Sequence, residues 1–434
     1  MIKKVVGVSF KSKPFCVWYW KENDILCYDG EAEETLTNDE LRLKKRDFTA
    51  IRLQPRDIEK GLIESYKYYV KMAQDLRKAS QGLINMNKTG TPSQTAVHVW
   101  NIMKKKEGKV EVVEPISKDE EKLLINCKIG AIIFGSEYQG SGYSYDFKSF
   151  YPSIMSNVHF LIPIKQGEWK TIQTFKDVER FNNLPYGYYR CIVSKSGDKK
   201  TDRFFRFNKQ NIYTHFDISS ANKLKLKVEL ITDDKPNCYI YTRDKMLTGS
   251  QLFSKFVNRM FMMKEAGIEG AKLILNSLWG SLCKGSHKVV TLDPEDEQPD
   301  GNIIDIKQNS DGTVSYFFYK DKPFTYDFAR MKPFLLAKAR SVYVDVVYPF
   351  SDKVVRCHTD SIISTEKLEF KQQSSKYKSV MGELSFEGYY EHFDRLKKNR
   401  SEKVKPEKTK EQIDKEELEQ LAKEFDTLIR EGKL

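Results

Sequence analysis

Cysteine is scarce and solitary in this chain. Seven are scattered over 434 residues, at Cys16, Cys27, Cys127, Cys191, Cys238, Cys283 and Cys357. The number is odd and no Cys-x-x-Cys pair occurs, which argues against a zinc cluster or a disulfide framework. A reducing compartment such as a host cytoplasm suits such a chain. Histidine is equally thin, with six residues and no His-Glu-x-x-His. Any metal is therefore expected to be a hard cation held by carboxylates. Long apolar runs are missing as well. None approaches a membrane span, and Met1-Ile2-Lys3-Lys4 lacks the apolar core of a signal peptide, so no membrane partner is expected. There is no internal repeat.

What is present is positive charge. Lysine and arginine number 73 against 61 acids, a net charge of +12. That balance favours a polyanionic partner, and without an apolar anchor nucleic acid is the better candidate than a membrane surface. At 40% hydrophobic and 12% aromatic residues the chain can bury cores, and its length suits two or three subdomains.

Residues 1–55 read as strands, among them Phe15 to Trp20 and Ile25 to Tyr28, followed by an acidic loop. Within that loop Asp29-Gly30-Glu31 has the Asp-x-Glu form of two-metal nucleases, but the spacing is common and a plain loop is the preferred reading. Residues 57–85 have helical spacing. Thr89 to Ser93 breaks that helix and caps a second one, with Ala96, Val97, Val99, Trp100 and Met103 on its apolar side. Residues 126–145 return to strand, interrupted by Tyr138 to Gly142. Short strands fill 186–242, where Phe204, Phe205, Phe207 and Tyr213 among basic residues offer either a stacking surface or, preferably, core. Two helices follow at 249–264 and 269–280, then a polar hairpin at 286–326, a helix at 327–347 and a tight hairpin from Lys353 to Ser364. In the charged tail, Lys397 to Lys410 reads as a basic linker. Beyond it, Ile413, Leu418, Leu421, Phe425 and Leu428 form one helical stripe.

Three stretches carry chemistry. In Asp146-Phe147-Lys148-Ser149-Phe150-Tyr151-Pro152-Ser153-Ile154 an acid closes a short aromatic strand, and Pro152 suits the first turn of a helix. Backbone N–H groups entering that helix, beside the acid, are a place to hold a metal-bound phosphate. In Lys272-Leu273-Ile274-Leu275-Asn276-Ser277-Leu278-Trp279-Gly280, the residues Lys272, Asn276 and Trp279 share one helix face. A cation, an amide and a flat ring there suit phosphate, sugar and base. In Val354 to Ile363 two β-branched strands flank a polar turn with Asp360 at its tip. Asp146 and Asp360, brought to one sheet edge, could hold two magnesium ions roughly 3.5–4 Å apart.

In this order the stretches resemble motifs A, B and C of family B DNA polymerases, of viral, phage or mobile-element type. Their patterns are Asp-x-x-Ser-Leu-Tyr-Pro-Ser-Ile, Lys-x-x-x-Asn-Ser-x-Tyr-Gly and Tyr-x-Asp-Thr-Asp-Ser. The resemblance spans about residues 130–390. Tyr138 to Gly142 resembles the Tyr-x-Gly-Gly linker before the polymerase domain, and Met381 to Glu387 the strand after motif C. The resemblance implies an α+β, right-hand polymerase with an antiparallel palm sheet, helical fingers and a reduced thumb. Residues 1–125 would be an N-terminal region without convincing exonuclease motifs. The palm would take 126–248 and 286–390, the fingers 249–285, and a charged helical tail or reduced thumb 391–434.

The implied activity is DNA-directed DNA synthesis with two Mg²⁺ ions, Mn²⁺ being the alternative ion. Asp146, Asp360 and the Phe147 carbonyl would be the metal ligands. Backbone N–H groups around Ser149 and Phe150 would hold phosphates, and Tyr151 would lie under the deoxyribose as a sugar gate. Lys272 would bind the triphosphate and serve catalysis, Asn276 and Trp279 would line the nascent pair, and Arg259 and Lys264 would add phosphate contacts. His358, Thr359 and Ser361 would shape the hairpin near the primer end. The implied partners are primer-template DNA and dNTPs, with room for a terminal protein or a separate exonuclease or processivity subunit.

The chain departs from the family pattern at three points. Trp279 replaces a Tyr, His358 replaces the first Asp of motif C, and Arg356 replaces its opening aromatic. A catalytically weakened, polymerase-like DNA-binding subunit of a replication complex is the alternative these changes raise.

Overall fold

Alternating apolar residues build the sheet that carries the site. In the strand Gln139–Phe147, Tyr145 and Phe147 are buried, and Asp146 lies between them at the strand's end. The sheet has five strands in the order Leu384–Asp394, Gln139–Phe147, Ser361–Ser364, Val354–His358 and Ile133–Gly135, with every pairing antiparallel. Strands from two distant parts of the chain thus interleave. The predicted interruption at Tyr138 to Gly142 falls earlier, since residues 136–138 separate the strand Ile133–Gly135 from one that already starts at Gln139. Gly142 permits this, because a Cβ there would come within 2.9 Å of the Ile363 side chain.

This computed structural model describes residues 12–394, except 23, 106–112, 128, 180–182, 294, 300, 302, 309–311 and 371–380. The predicted basic linker and the helical stripe from Ile413 to Leu428 lie outside the described residues. The boundary expected between 390 and 391 falls inside the strand Leu384–Asp394, whose register with Gln139–Phe147 continues to Asp394.

The helices Gly249–Glu265 and Ala271–Leu282 fall where the sequence predicts them. Thr248 opens the first with a reciprocal cap to Gln251. Gly249 lies so close to the Met155 carbonyl that a Cβ would meet its oxygen at 2.1 Å. The apolar sides of both helices pack on Pro92–Lys105, where Ala96, Val97, Val99 and Trp100 are buried as expected. The Trp100 indole N–H donates to the Leu252 carbonyl at 2.8 Å, and its ring stacks on Phe253. The helix expected over 57–85 is instead two, Pro55–Ile58 and Leu62–Ala79. Gly61 separates them at φ +86°, a conformation that cannot continue a right-handed helix.

Among the described residues there are four further sheets, one of them only the pair Leu161–Pro163 and Met246–Thr248. The first, at the N-terminal end, orders Glu33–Leu36, Asp24–Tyr28, Phe15–Lys21 and Thr49–Arg52, the last pair running parallel. In it the Asp29 carboxylate accepts the N–H groups of Glu31 and Ala32 and pairs with Lys44 at 2.8 Å. Asp29 is thus committed to its own loop, as the plain-loop reading expects. A second sheet spans Glu168 to Ile240. Phe204, Phe205 and Tyr213 are buried beside it, so they are core and not a stacking surface. Residues 285–324 form three strands, Gly285–Leu292, Ile303–Gln308 and Val314–Phe324, where the sequence suggested a two-stranded hairpin.

The helix Met331–Val346 anchors these parts through two buried arginines. Arg330, just before it, holds the fully buried Glu120 carboxylate at 2.6 Å and the carbonyls of Glu114 and Pro115. Arg340 holds Asp217 at 2.7 Å and the carbonyls of Ile129 and Gly130. Removing one partner strands a buried charge, so Glu120→Ala is expected to cost about 3–5 kcal/mol in urea unfolding. The Asp29 loop predicts an acid effect. Burial alone would raise the Asp29 pKa, but Lys44 and the two N–H donors bring it down to about 2. Its contribution to stability is therefore present above about pH 4 and lost as the pH falls toward 2. Asp29→Asn should flatten that part of the acid limb, read from urea midpoints at roughly pH 5 and pH 2.5.

Candidate active site

The two aspartates meet because two strands are in register. Ser361 pairs with Asp146, and the Phe147 N–H donates to the Asp360 carbonyl at 2.8 Å. Asp146 thereby closes one strand beside the turn that carries Asp360. That turn is tight. Thr359 takes φ +60°, and its hydroxyl lies 2.7 Å from both the His358 carbonyl and an Asp360 carboxylate oxygen. The Ser361 hydroxyl donates to the same carbonyl at 3.2 Å. The Thr359 and Ser361 hydroxyls therefore brace the turn from within. His358 is exposed beside it and does not line the cleft.

After Asp146 the chain reverses at Ser149, which has φ +49° and starts the helix Phe150–Met155. Left-handed backbone at a residue with a Cβ is uncommon and marks a site held by its surroundings. The Lys264 ammonium donates to the Ser149 hydroxyl at 3.1 Å. Below the turn the buried Phe147 and Phe150 rings stack at 4.4 Å, and Tyr343 packs edge-on against both. The Tyr343 hydroxyl donates to the Ser361 carbonyl at 3.4 Å, tying this aromatic floor to the hairpin. Burial, reinforced by Asp146 and Asp360, keeps that phenol neutral. With Phe147 and Phe150 in the core, only their backbone can serve a ligand.

These elements enclose a cleft of about 390 Å³. Asp146, Phe147, Ser149, Phe150, Tyr151, Lys264, Lys272, Asn276, Trp279 and Asp360 all line it, so ten residues singled out from the sequence are brought together. Tyr151 stacks on Trp279 at 5.1 Å and 30°. Burial and the Asp360 charge push its hydroxyl up to about 12. Burial, helped by Lys148 and Lys272, lowers the pKa of Lys264. Arg259 is not brought in. It is exposed, and five residues before Lys264 places it roughly 140° around the helix.

Sequence reasoning missed four residues of the cleft: Lys148, Glu383, Ser385 and Glu387. Ser385 pairs with Asp146, and the Lys148 N–H donates to the Glu383 carbonyl at 2.9 Å. The signal was the strand expected after motif C, whose partner strand the sequence does not specify. Among the described residues no group of three or more His, Cys, Asp or Glu side chains forms a metal cage. Two carboxylates and nearby backbone oxygens are nonetheless the donor set Mg²⁺ accepts, since it keeps waters and takes substrate phosphates for its other positions. The residues therefore fit the ion.

This assembly of interleaved palm-like sheet, paired helices and acidic cleft defines the class of right-hand polymerases. The chain is similar in fold to phi29 DNA polymerase complexed with primer-template DNA in the post-translocation binary complex. That match has a TM-score of 0.54 at 17% identity, covering 85% of this chain and 68% of that one. The complex of phi29 DNA polymerase with single-stranded DNA matches at 0.53 and 17%, covering 86% and 69%. No curated protein matches the chain in sequence. The chain belongs to the family described as DNA polymerase type B, organellar and viral, which it matches over residues 57–325. That span includes Asp146 and Lys272, while Asp360 lies beyond it and is brought beside Asp146 by strand pairing.

Proposed function

We propose that this chain is a template-directed DNA polymerase that transfers dNMP to a primer 3′-OH and releases pyrophosphate, in the replication of a virus or mobile element. The observation that carries the reading is the convergence of Asp146, Asp360, Lys272, Asn276 and Tyr151 on one cleft from four separate elements. In this reading the five-stranded sheet is the palm and the helices Gly249–Glu265 and Ala271–Leu282 are the fingers. Primer-template DNA and dNTPs are the partners.

Asp146 and Asp360 would hold Mg²⁺. When bound, the ions supply charge stabilisation at the α-phosphate and a lowered pKa for the primer hydroxyl. The chain's own residues position the substrate. Lys272 and Lys264 hold phosphate oxygens as point charges, and the N–H groups at the start of the Phe150–Met155 helix add donors beside them. The Tyr151 ring, backed by Trp279, forms a flat floor on which a deoxyribose fits and a 2′-OH collides.

Primer extension tests the reading. Asp146→Ala and Asp360→Ala should each reduce incorporation by several orders of magnitude while retaining DNA binding. Wild-type protein no more active than the double variant, with Mg²⁺ and with Mn²⁺, would leave only a DNA-binding subunit. Tyr151→Val should raise ribonucleotide use relative to deoxyribonucleotide use by about tenfold or more, as expected when a steric exclusion is removed. An unchanged ratio would take Tyr151 out of the gate role.

A further inference from the structure

One wall of the cleft carries more positive charge than the two lysines already assigned. Lys148, on the turn after Asp146, also lines it. Its ammonium donates to a Glu265 carboxylate oxygen at 2.6 Å, and the other Glu265 oxygen lies 3.8 Å from Lys264. Both ammoniums sit over the Phe261 ring, at 5.6 and 5.3 Å from its centre. One carboxylate thus faces two cations, at the point where the turn of the palm meets the last residue of the Gly249–Glu265 helix. Glu265 does not line the cleft, so an anion entering the cleft reaches the lysines from a different side.

Like charges this close repel unless an anion lies between them. A partly exposed carboxylate serves, but only weakly, because surface ion pairs contribute little net energy. A polyphosphate carries more charge on several oxygens and forms shorter, stronger charge-assisted bonds. We propose that Lys148 is a third phosphate-binding lysine of this site, and that Glu265 holds it in place until an incoming triphosphate takes over its ammonium. The exchange swaps one ion pair for another. No covalent bond changes, and the released Glu265 is solvated. Glu265 thereby competes with the substrate and sets its affinity.

The proposal rests on the polymerase reading, but its test does not need turnover. Calorimetry would measure binding of dTTP and of inorganic triphosphate to the full chain and to Lys148→Met, Lys148→Arg and Glu265→Gln. Lys148→Met should weaken both ligands by about tenfold, the size of one lost charge-assisted bond, and Lys148→Arg should restore most of it. Glu265→Gln should tighten both several-fold. In incorporation assays the same variants should move KM in the same directions, with kcat within about twofold. Equal affinities in all four chains would overturn the proposal. So would lowered melting temperatures in Lys148→Met and Glu265→Gln with native affinity, which would make the pair a structural brace. Retained affinity differences without any incorporation would sink the polymerase reading and leave the phosphate site standing.

Discussion

The site depends on one backbone register. Ser361 opposite Asp146, sealed by the Phe147 N–H on the Asp360 carbonyl, brings together two acids that are far apart in the chain. Side chains alternate across a sheet, so a slip of one residue would turn Asp146 into the core and Tyr145 toward the cleft. The register is defended by the core face and by the neighbouring edge strand. Tyr145 and Phe147 fill the core, and the Tyr145 hydroxyl accepts the Leu368 N–H at 2.6 Å. On the outer strand, Leu384 pairs with Phe147 and Ser385 with Asp146.

Around that register the cleft separates its charges. Carboxylates lie along the strand ends of the sheet, while Lys264 and Lys272 come from the two helices. The helices are held by Trp100 and Phe253 against the N-terminal part of the chain. The residues before Asp146 therefore bear on the site without touching substrate, because they set where the lysine-bearing helices stand. Arg330 and Arg340 extend the same logic below the site. Each ties loop carbonyls and a buried acid to the helix Met331–Val346, Arg330 at its start and Arg340 within it, and Tyr343 of the same helix forms part of the aromatic floor. Buried charges of this kind specify position more than they add stability.

Much of this was legible in the sequence, and for definite reasons. Asp146, Lys272, Asn276 and Asp360 stand in short patterns whose local geometry is nearly self-determined: a strand end, a helix face and a two-strand turn. The paired helices, expected at 249–264 and 269–280, lie within two residues of those bounds. Misreadings arose where glycine was ambiguous. Gly61 ended a helix through its positive φ, while Gly142 continued a strand because it meets Ile363 closely. Arg259 looked equivalent to Lys264 along the chain but lies around the helix from it.

The sequence by itself determined which residue types could do chemistry, where the helices and strands next to the site lie (but not the helices Asn38–Asp47 and His215–Lys223 inside stretches read as strand), and that the chain is basic enough for a polyanion. These follow from local sterics and composition, which act over a few residues. Only the tertiary structure decided that Ser385 borders Asp146 and that Tyr343 lies beneath Phe147. It also decided that Trp279 backs Tyr151 and that Lys148 faces Glu265. Those neighbours come from strand order and helix docking. Both are chosen by burial of the whole core and not by any one stretch of chain.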